Sequence, residues 1–233
     1  MRSMLVAAAA ALVLAASAQA DTVSPVAVAA AQPAPKRVKG TIDAFDPVAR
    51  TLSVTSGKKA FSVTLQPSLR VITNQRRRLA DIKPGDFIGA AALKGADGKL
   101  HAQQVNVFPQ ELRGMGEGQY PMGDAASNRI MTNATVAEVV SVAANSGTLK
   151  VGYRGAGTAP DGSCSGRAVA SAGCQGTAEI VVAPGIPVIA LMLGDESLLV
   201  PGAAVSLIVS TAQDGSLVAT RLTVEKDGVK PIL

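Results

Sequence analysis

The chain of 233 residues is poor in the side chains that carry most enzyme chemistry and metal binding. It has no Trp, one His and two Cys, aromatic residues make up 3% of it, and charged residues make up 17%. These numbers leave little room for a His-rich metal site, a zinc ribbon or a disulfide-dense toxin. Aliphatic residues are plentiful: hydrophobic residues make up 48%, beside 23 Gly and 13 Pro. Such a composition is too apolar for a wholly disordered chain and is typical of one with many turns.

The first twenty residues have the three parts of a secretory signal peptide. Arg2 supplies a positive charge, Leu5 to Ala16 are apolar, and Ala18-Gln19-Ala20 fits the small-residue rule for cleavage. The apolar part is shorter than the roughly 20 residues that span a bilayer, and no later stretch of the sequence is long and apolar enough to do so. We therefore predict a signal peptide over 1–20, export to the periplasm or outside of a bacterium, and a flexible Ala/Pro-rich tether over 21–37.

The remainder of the chain contains an internal repeat. At an offset of 117, residues 60–67 align with 177–184, and residues 97–102 align with 214–219. Upstream, the offset falls to 97, so the second copy carries an insertion of 20 residues. A fixed offset of this kind predicts a duplicated domain. The predicted segments are a first copy over 38–108, a Gly-rich linker over 109–130, and a second copy over 131–233 with a loop insertion at 154–176.

Each copy has the sequence pattern of a small β-barrel. Apolar and polar residues alternate along its first strands, and Asp97-Gly98 and Asp214-Gly215 are strong hairpin-turn signals. Residues 87–93 and 205–210 are apolar runs typical of buried strands, and one helical turn is predicted between Leu79 and Pro84. The predicted fold class is all-β, with two tandem OB-like barrels. A generic antiparallel sandwich is the alternative.

Several of these segments resemble a known family. The sequences GTI at 40–42, TLSV at 51–54, LADIKPGD at 79–86 and DGKLHA at 97–102 are similar to the bacterial DUF5666 domain. The stretches at 114–118 and 131–136 resemble a two-domain subgroup from Gram-negative bacteria, some members of which are labelled metal ABC transporter permease. The resemblance covers about 190 residues. It implies an exported protein built of OB-like modules and implies neither an activity nor catalytic residues.

Both cysteines lie in the inserted segment 154–176, with nine residues between them. In an exported protein, Cys164 and Cys174 are predicted to form a disulfide, which would constrain an otherwise unstructured loop. The alternative is a cysteine nucleophile, because Gly162 to Gly166 has the G-x-C-x-G spacing of a nucleophile elbow. Such an elbow needs a strand before it, a helix after it and a His base. Neither flank has these patterns, and the only His lies in the other copy.

That single His defines an alternative metal site. His101 follows the first Asp-Gly turn, and its counterpart in the second copy is Val218, which indicates a tolerant strand position. Together with Met115, Met122 and Met131, His101 could form a soft site of the Cu(I) type, although Met more often fills gaps in packing. Handling of Cu, Zn or Ni is therefore kept as an alternative function. The preferred interpretation involves no cofactor.

Basic residues are concentrated in the first copy, which carries a net charge of +6, against −2 for residues 131–233. Arg76, Arg77 and Arg78, with Arg70 nearby, form the densest basic segment. This segment predicts binding to an acidic envelope protein or to an anionic envelope component. The alternative is a solvated loop without a ligand.

The predicted function is therefore non-enzymatic binding in the cell envelope. No pair of carboxylates stands at a spacing that demands acid–base chemistry, so no catalytic residue is predicted. Nucleic acid is not expected as a partner, because a groove for single strands adds exposed aromatic side chains. The few phenylalanines are instead predicted to fill the barrel cores: Phe45, Phe61, Phe87 and Phe108.

Overall fold

The computed structural model describes residues 35–123, 128–143, 145–169 and 173–231. Within these ranges the regular elements are strands and three single-turn 3₁₀-helices, so the all-β prediction is confirmed. The predicted signal peptide and residues 21–34 of the predicted tether lie outside the described residues. The strands are β1 (Lys36–Asp46), β2 (Thr51–Ser56), β3 (Lys59–Leu65), β4 (Val71–Arg77), β5 (Phe87–Lys94), β6 (Leu100–Val107), β7 (Gly118–Pro121), β8 (Arg129–Ala143), β9 (Ser146–Gly155), β10 (Gly157–Thr158), β11 (Cys164–Arg167), β12 (Cys174–Val182), β13 (Val188–Leu193), β14 (Ala204–Thr211) and β15 (Leu217–Val224). The 3₁₀-helices are Leu79–Asp81, Gln110–Leu112 and Glu196–Leu198.

Five strands pair into a closed ring, here called ring one. β1 pairs with β2 and β2 with β3, both antiparallel. β3 then pairs in parallel with β15, where Thr64 lies opposite Val218. β15 pairs antiparallel with β14, and β14 returns to β1, where Val205 lies opposite Gly40. Closure gives each of the five strands a neighbour on both sides, which removes the exposed edges of an open sheet.

Five further strands form a second closed ring, here called ring two. β8 pairs with β9 and β9 with β12, both antiparallel. β12 pairs in parallel with β6, where Val181 lies opposite His101. β6 pairs antiparallel with β5, and β5 returns to β8, where Ile88 lies opposite Ala134. The order of strands around ring two is the same as around ring one.

Each ring combines strands from both halves of the chain. Ring one takes three strands from residues 36–65 and two from 204–224, whereas ring two takes three from 129–182 and two from 87–107. The predicted segments 38–108 and 131–233 therefore do not coincide with the closed rings. The reason is that β4 and β13 carry the chain across to the other ring. The last two strands of each half, β5 with β6 and β14 with β15, then complete the barrel that the other half forms with its first three strands.

The two crossing strands lie side by side. β4 and β13 are antiparallel, and Asn74 lies opposite Leu191, residues that are themselves 117 positions apart. β4 also pairs in parallel with β15, and β13 pairs in parallel with β6. Continuous backbone hydrogen bonding therefore joins ring one to ring two through the crossing strands.

Each ring encloses its own apolar core, and each core mixes residues from both halves. The core of ring one is centred on fully buried aliphatic side chains: Leu52, Val54, Leu207 and Leu222. The core of ring two has an equivalent centre: Ile88, Leu149 and Ile180. The 3₁₀-helix after β4 packs into ring two through Leu79, and the one after β13 packs into ring one through Leu198. The packing of side chains thus follows the strand exchange.

The prediction that phenylalanines fill the barrel cores is only partly right. Phe45 and Phe61 pack against the core of ring one but remain partly exposed. Phe87 is buried on the outer side of β5, because its neighbour Ile88 points into the core and successive strand residues face opposite ways. The ring of Phe108 meets that of Phe87 edge to face, with the centroids 5.4 Å apart. Both cores are mainly aliphatic, and Tyr153 and Cys164 are also buried in that of ring two.

The predicted linker and loop insertion also contain strands. In the linker, β7 pairs with β8; in the insertion, β11 pairs with β10 and with β7. Gly118 on β7 is at φ 135°, and a Cβ there would collide with the backbone of Gly166 on β11, so glycine permits this close approach. The two segments expected to be irregular therefore extend the sheet together beyond β8.

Candidate functional site

The predicted basic patch does not lie in one place. Arg70 precedes β4, whereas Arg76 and Arg77 lie at its other end, about 20 Å away at 3.3 Å per strand residue. Arg76 and Arg77 are consecutive strand residues and so face opposite sides of the sheet. The guanidinium of Arg78 pairs with Asp81, at 2.7 Å between Nη2 and Oδ1. The four arginines therefore do not form a single charged surface.

The structure instead places Arg70 beside an arginine from the other end of the chain. Val71 lies opposite Leu222 in the parallel pair of β4 and β15, so the preceding residues, Arg70 and Arg221, are neighbours. Val71 and Leu222 both point into the core of ring one. The two arginines are exposed and therefore lie on the outer face, Arg70 immediately before the first residue of β4 that pairs with β15.

A third arginine continues this line across the sheet. Ile208 on β14 lies opposite Arg221 on one side and opposite Arg37 on β1 on the other. Residues directly opposite one another on neighbouring strands share a face, so Arg37 lies on the same outer surface, about 10 Å from Arg221. We call Arg37, Arg221 and Arg70 the arginine row.

No carboxylate of the described residues forms a salt bridge with the arginine row. Within the ranges that the structure describes, none of its three members forms a salt bridge, whereas Arg50 and Arg154 are paired with Glu196 and Glu117. Partial burial, and after it the nearby charge of Arg221, lowers the pKa of Arg37 below its usual range. Three like charges on one face, without a carboxylate partner among the described residues, can attract an anion.

Ring two offers a natural comparison for the row. Its equivalent line runs from Met131 on β8 through Ala91 on β5 to Gln104 on β6. Met131 thus occupies the position of Arg37, and Gln104 the position of Arg221. The same backbone geometry therefore carries positive charge in ring one and none in ring two.

The sequence alone did not identify two members of the arginine row, Arg37 and Arg221. Arg37 falls at the end of the predicted tether, between Lys36 and Lys39, and Arg221 stands alone in the predicted second barrel. Only the exchange of β14 and β15 into ring one brings them to Arg70. No local signal in the sequence identifies this combination.

The residues of the alternative metal site are also dispersed. His101 Nε2 is 3.1 Å from both carboxylate oxygens of Asp97, and this contact helps to lower the pKa of Asp97, after a backbone hydrogen bond from Lys99. Met131 lies two strands across and two residues along from His101, about 12 Å away. Met122 is bonded to Arg129 through its backbone amide, three strands from His101.

The sulfur of Met115 is engaged elsewhere and accepts a hydrogen bond from Nη2 of Arg221 at 3.8 Å. The described residues hold no group of three or more His, Cys, Asp or Glu that could bind a metal ion. The structure therefore gives the alternative metal function no assembled site.

The predicted disulfide between Cys164 and Cys174 is present, with the Cα atoms 5.5 Å apart. Cys164 is buried in the core of ring two, and its carbonyl accepts a hydrogen bond from the Tyr153 hydroxyl at 2.9 Å. Gly155 on β9 lies opposite Cys174 on β12. A Cβ atom on Gly155 would come within 2.7 Å of the Cys164 sulfur. The disulfide thus links β11, in the predicted loop insertion, to β12 of ring two.

An open depression of about 420 Å³ lies beside Tyr153, between residues of β9 and β12. Arg154 and Glu117 line it and pair with each other at 2.7 Å. Their charges compensate each other, so the depression presents no net charge of its own. The arginine row is the better candidate for a binding site.

Comparisons with protein-family models, curated proteins and solved structures give no match for this chain. Among the described residues, no helix has both the length and the apolar character needed to cross a membrane.

Proposed function

We propose that this protein is an exported, non-enzymatic binding module that recognises an anionic component of the bacterial envelope through the arginine row. The observation that carries the proposal is that Arg37, Arg70 and Arg221 meet on one face without a carboxylate partner in the described part of the chain. Arginine suits this task, because its planar guanidinium stays charged and can donate two parallel hydrogen bonds to a phosphate or a carboxylate.

The proposed compartment and fold family support this function. A disulfide persists in oxidising surroundings such as the periplasm, in keeping with the signal peptide predicted from the sequence. We further propose that the two rings are OB-like modules that arose by duplication. The order of strands is the same around each ring, and each ring contains one parallel pair, β3 with β15 in ring one and β12 with β6 in ring two. This arrangement favours the assignment. The resemblance to the DUF5666 domain points the same way.

Replacing two members of the row by their counterparts in ring two tests the proposed function. The variant Arg37→Met with Arg221→Gln is expected to bind vesicles of phosphatidylcholine and phosphatidylglycerol at least about tenfold more weakly than the unaltered protein. Each lost charge-assisted hydrogen bond is worth about 1.5–3 kcal/mol, and 1.4 kcal/mol is tenfold in affinity. Co-sedimentation at several salt concentrations measures the effect, and binding by the unaltered protein should weaken as salt rises.

The matched control replaces Arg76 and Arg77 by Gln, which removes the same net charge from exposed positions outside the row. This control should keep its affinity within about twofold, because the two side chains face opposite sides of the sheet. Equal losses in both variants would show that overall charge, and not the row, governs binding. Circular dichroism should show that both variants remain folded.

A further inference from the structure

We infer that the arginine row binds a phosphomonoester or diphosphate group, which carries two or more negative charges, in preference to a singly charged phosphodiester or carboxylate. The inference rests on the proposed function and names the chemical class of its ligand. Three observations support it: the number of arginines in the row, their spacing, and the weak hydrogen-bond acceptor of Arg221, which is the sulfur of Met115.

The number of charges favours a dianion. Arg37 and Arg221 flank Ile208 on either side of a single strand, and Arg70 is the next neighbour of Arg221. Like charges held this close repel one another, and partial burial, with the charge of Arg221 added to it, lowers the pKa of Arg37. A monoanion balances one of the three guanidinium groups, whereas a dianion balances two and so relieves more of the repulsion.

The number of acceptor atoms favours the same ligand. A phosphomonoester presents three terminal oxygens, each a strong acceptor, while a phosphodiester has only two oxygens outside its ester bonds. The three arginines come from positions on β1, on β15 and immediately before β4, and all lie on one outer face. Each guanidinium can therefore donate to a different oxygen of one phosphoryl group, or to neighbouring groups of a diphosphate.

The present partner of Arg221 is easily replaced. Its Nη2 donates to the sulfur of Met115 at 3.8 Å, and a thioether is a weak acceptor. Met115 is itself 39% exposed, so a ligand can approach from that side. A phosphoryl oxygen in place of the sulfur turns a weak hydrogen bond into a charge-assisted one, roughly twice as strong as a neutral bond.

The deciding experiment compares two vesicle compositions with the full-length protein at pH 7.5. Phosphatidylcholine is mixed with phosphatidic acid, a phosphomonoester, or with phosphatidylglycerol, a phosphodiester, and the two preparations are matched in measured zeta potential. We expect about tenfold tighter binding to the phosphomonoester vesicles. The preference should fall below about twofold for Arg37→Met with Arg221→Gln and should persist for the Arg76→Gln, Arg77→Gln control.

A second measurement distinguishes a lipid headgroup from a soluble phosphate compound. Pyrophosphate, glycerol 3-phosphate and dimethyl phosphate are added separately, and the thermal midpoint and the displacement of bound vesicles are recorded. Upward shifts with the first two compounds, absent from the Arg37→Met, Arg221→Gln variant, support a soluble ligand with this chemistry. Selective binding to phosphatidic acid vesicles without such shifts supports a membrane-bound one.

The two proposals fail in different ways. Equal affinity for the two vesicle types, together with equal responses to pyrophosphate and dimethyl phosphate, would overturn the phosphomonoester inference and leave general anion binding in place. Absence of binding to every anionic vesicle and every phosphate compound would overturn the proposed function as well.

Discussion

Replacing Leu222 by Ala is expected to lower the free energy of unfolding by about 2–5 kcal/mol, the usual range for removing a buried Leu side chain. Leu222 is fully buried in the core of ring one, against side chains that come from the first half of the chain. The amides of β2, at residues 51–56, should therefore lose protection against hydrogen exchange, although they lie far from residue 222 in sequence. Native-state hydrogen exchange with mass spectrometry measures both effects.

The matched control is Val105→Ala, at the equivalent position of ring two. Val105 is fully buried in the other core, with Leu149 and Val151 on β9. In this variant the amides of β9, at residues 146–155, should lose protection against hydrogen exchange. The free energy of unfolding should fall by less than in Leu222→Ala, because fewer atoms are removed. The exchange of strands would be contradicted if Leu222→Ala exposed β9 and left β2 protected.

Removal of the disulfide has the second largest expected effect on stability. The variant Cys164→Ser with Cys174→Ser is expected to lose about 2–4 kcal/mol, chiefly because the unfolded chain regains the freedom that the cross-link removed. Polar Ser at the buried position of Cys164 adds to this loss. Denaturant unfolding, with and without a reductant, measures it.

The unaltered protein under reducing conditions serves as the comparison for that variant. Its midpoint should fall towards that of the double Ser variant, while the midpoint of the variant itself should not respond to reductant. Identical midpoints for the oxidised and the reduced protein would show that the disulfide contributes nothing to stability, despite its position at the edge of the core.

Much of the local structure followed directly from the residues. The hairpin turns at Asp97-Gly98 and Asp214-Gly215 are confirmed, with Gly98 at φ 76° and Gly215 at φ 83°. The apolar runs at 87–93 and 205–210 are buried strands, and Leu79–Asp81 forms the predicted helical turn. These features depend on neighbours in sequence, which is why their patterns could be recognised.

The exchange of strands could not be predicted in the same way. A strand in an antiparallel barrel needs a partner with matching alternation of apolar residues, and β5 and β14 meet that need almost equally well. The hydrophobic pattern shows which face of a strand is buried but not which strand is its partner, so it cannot distinguish a contiguous barrel from an exchanged one. The arginine row was missed for this reason, because Arg37 and Arg221 become neighbours only in the exchanged arrangement.

The exchange also determines when each barrel can be completed. Ring two has all its strands once the chain reaches Val182, but ring one must wait for β15, which ends at Val224. β1 meets its partner β14 about 170 residues later in sequence, and pairings over such separations form slowly. The strands β1 to β3 are thus the last to be enclosed, because ring one cannot close until β14 and β15 have been synthesised.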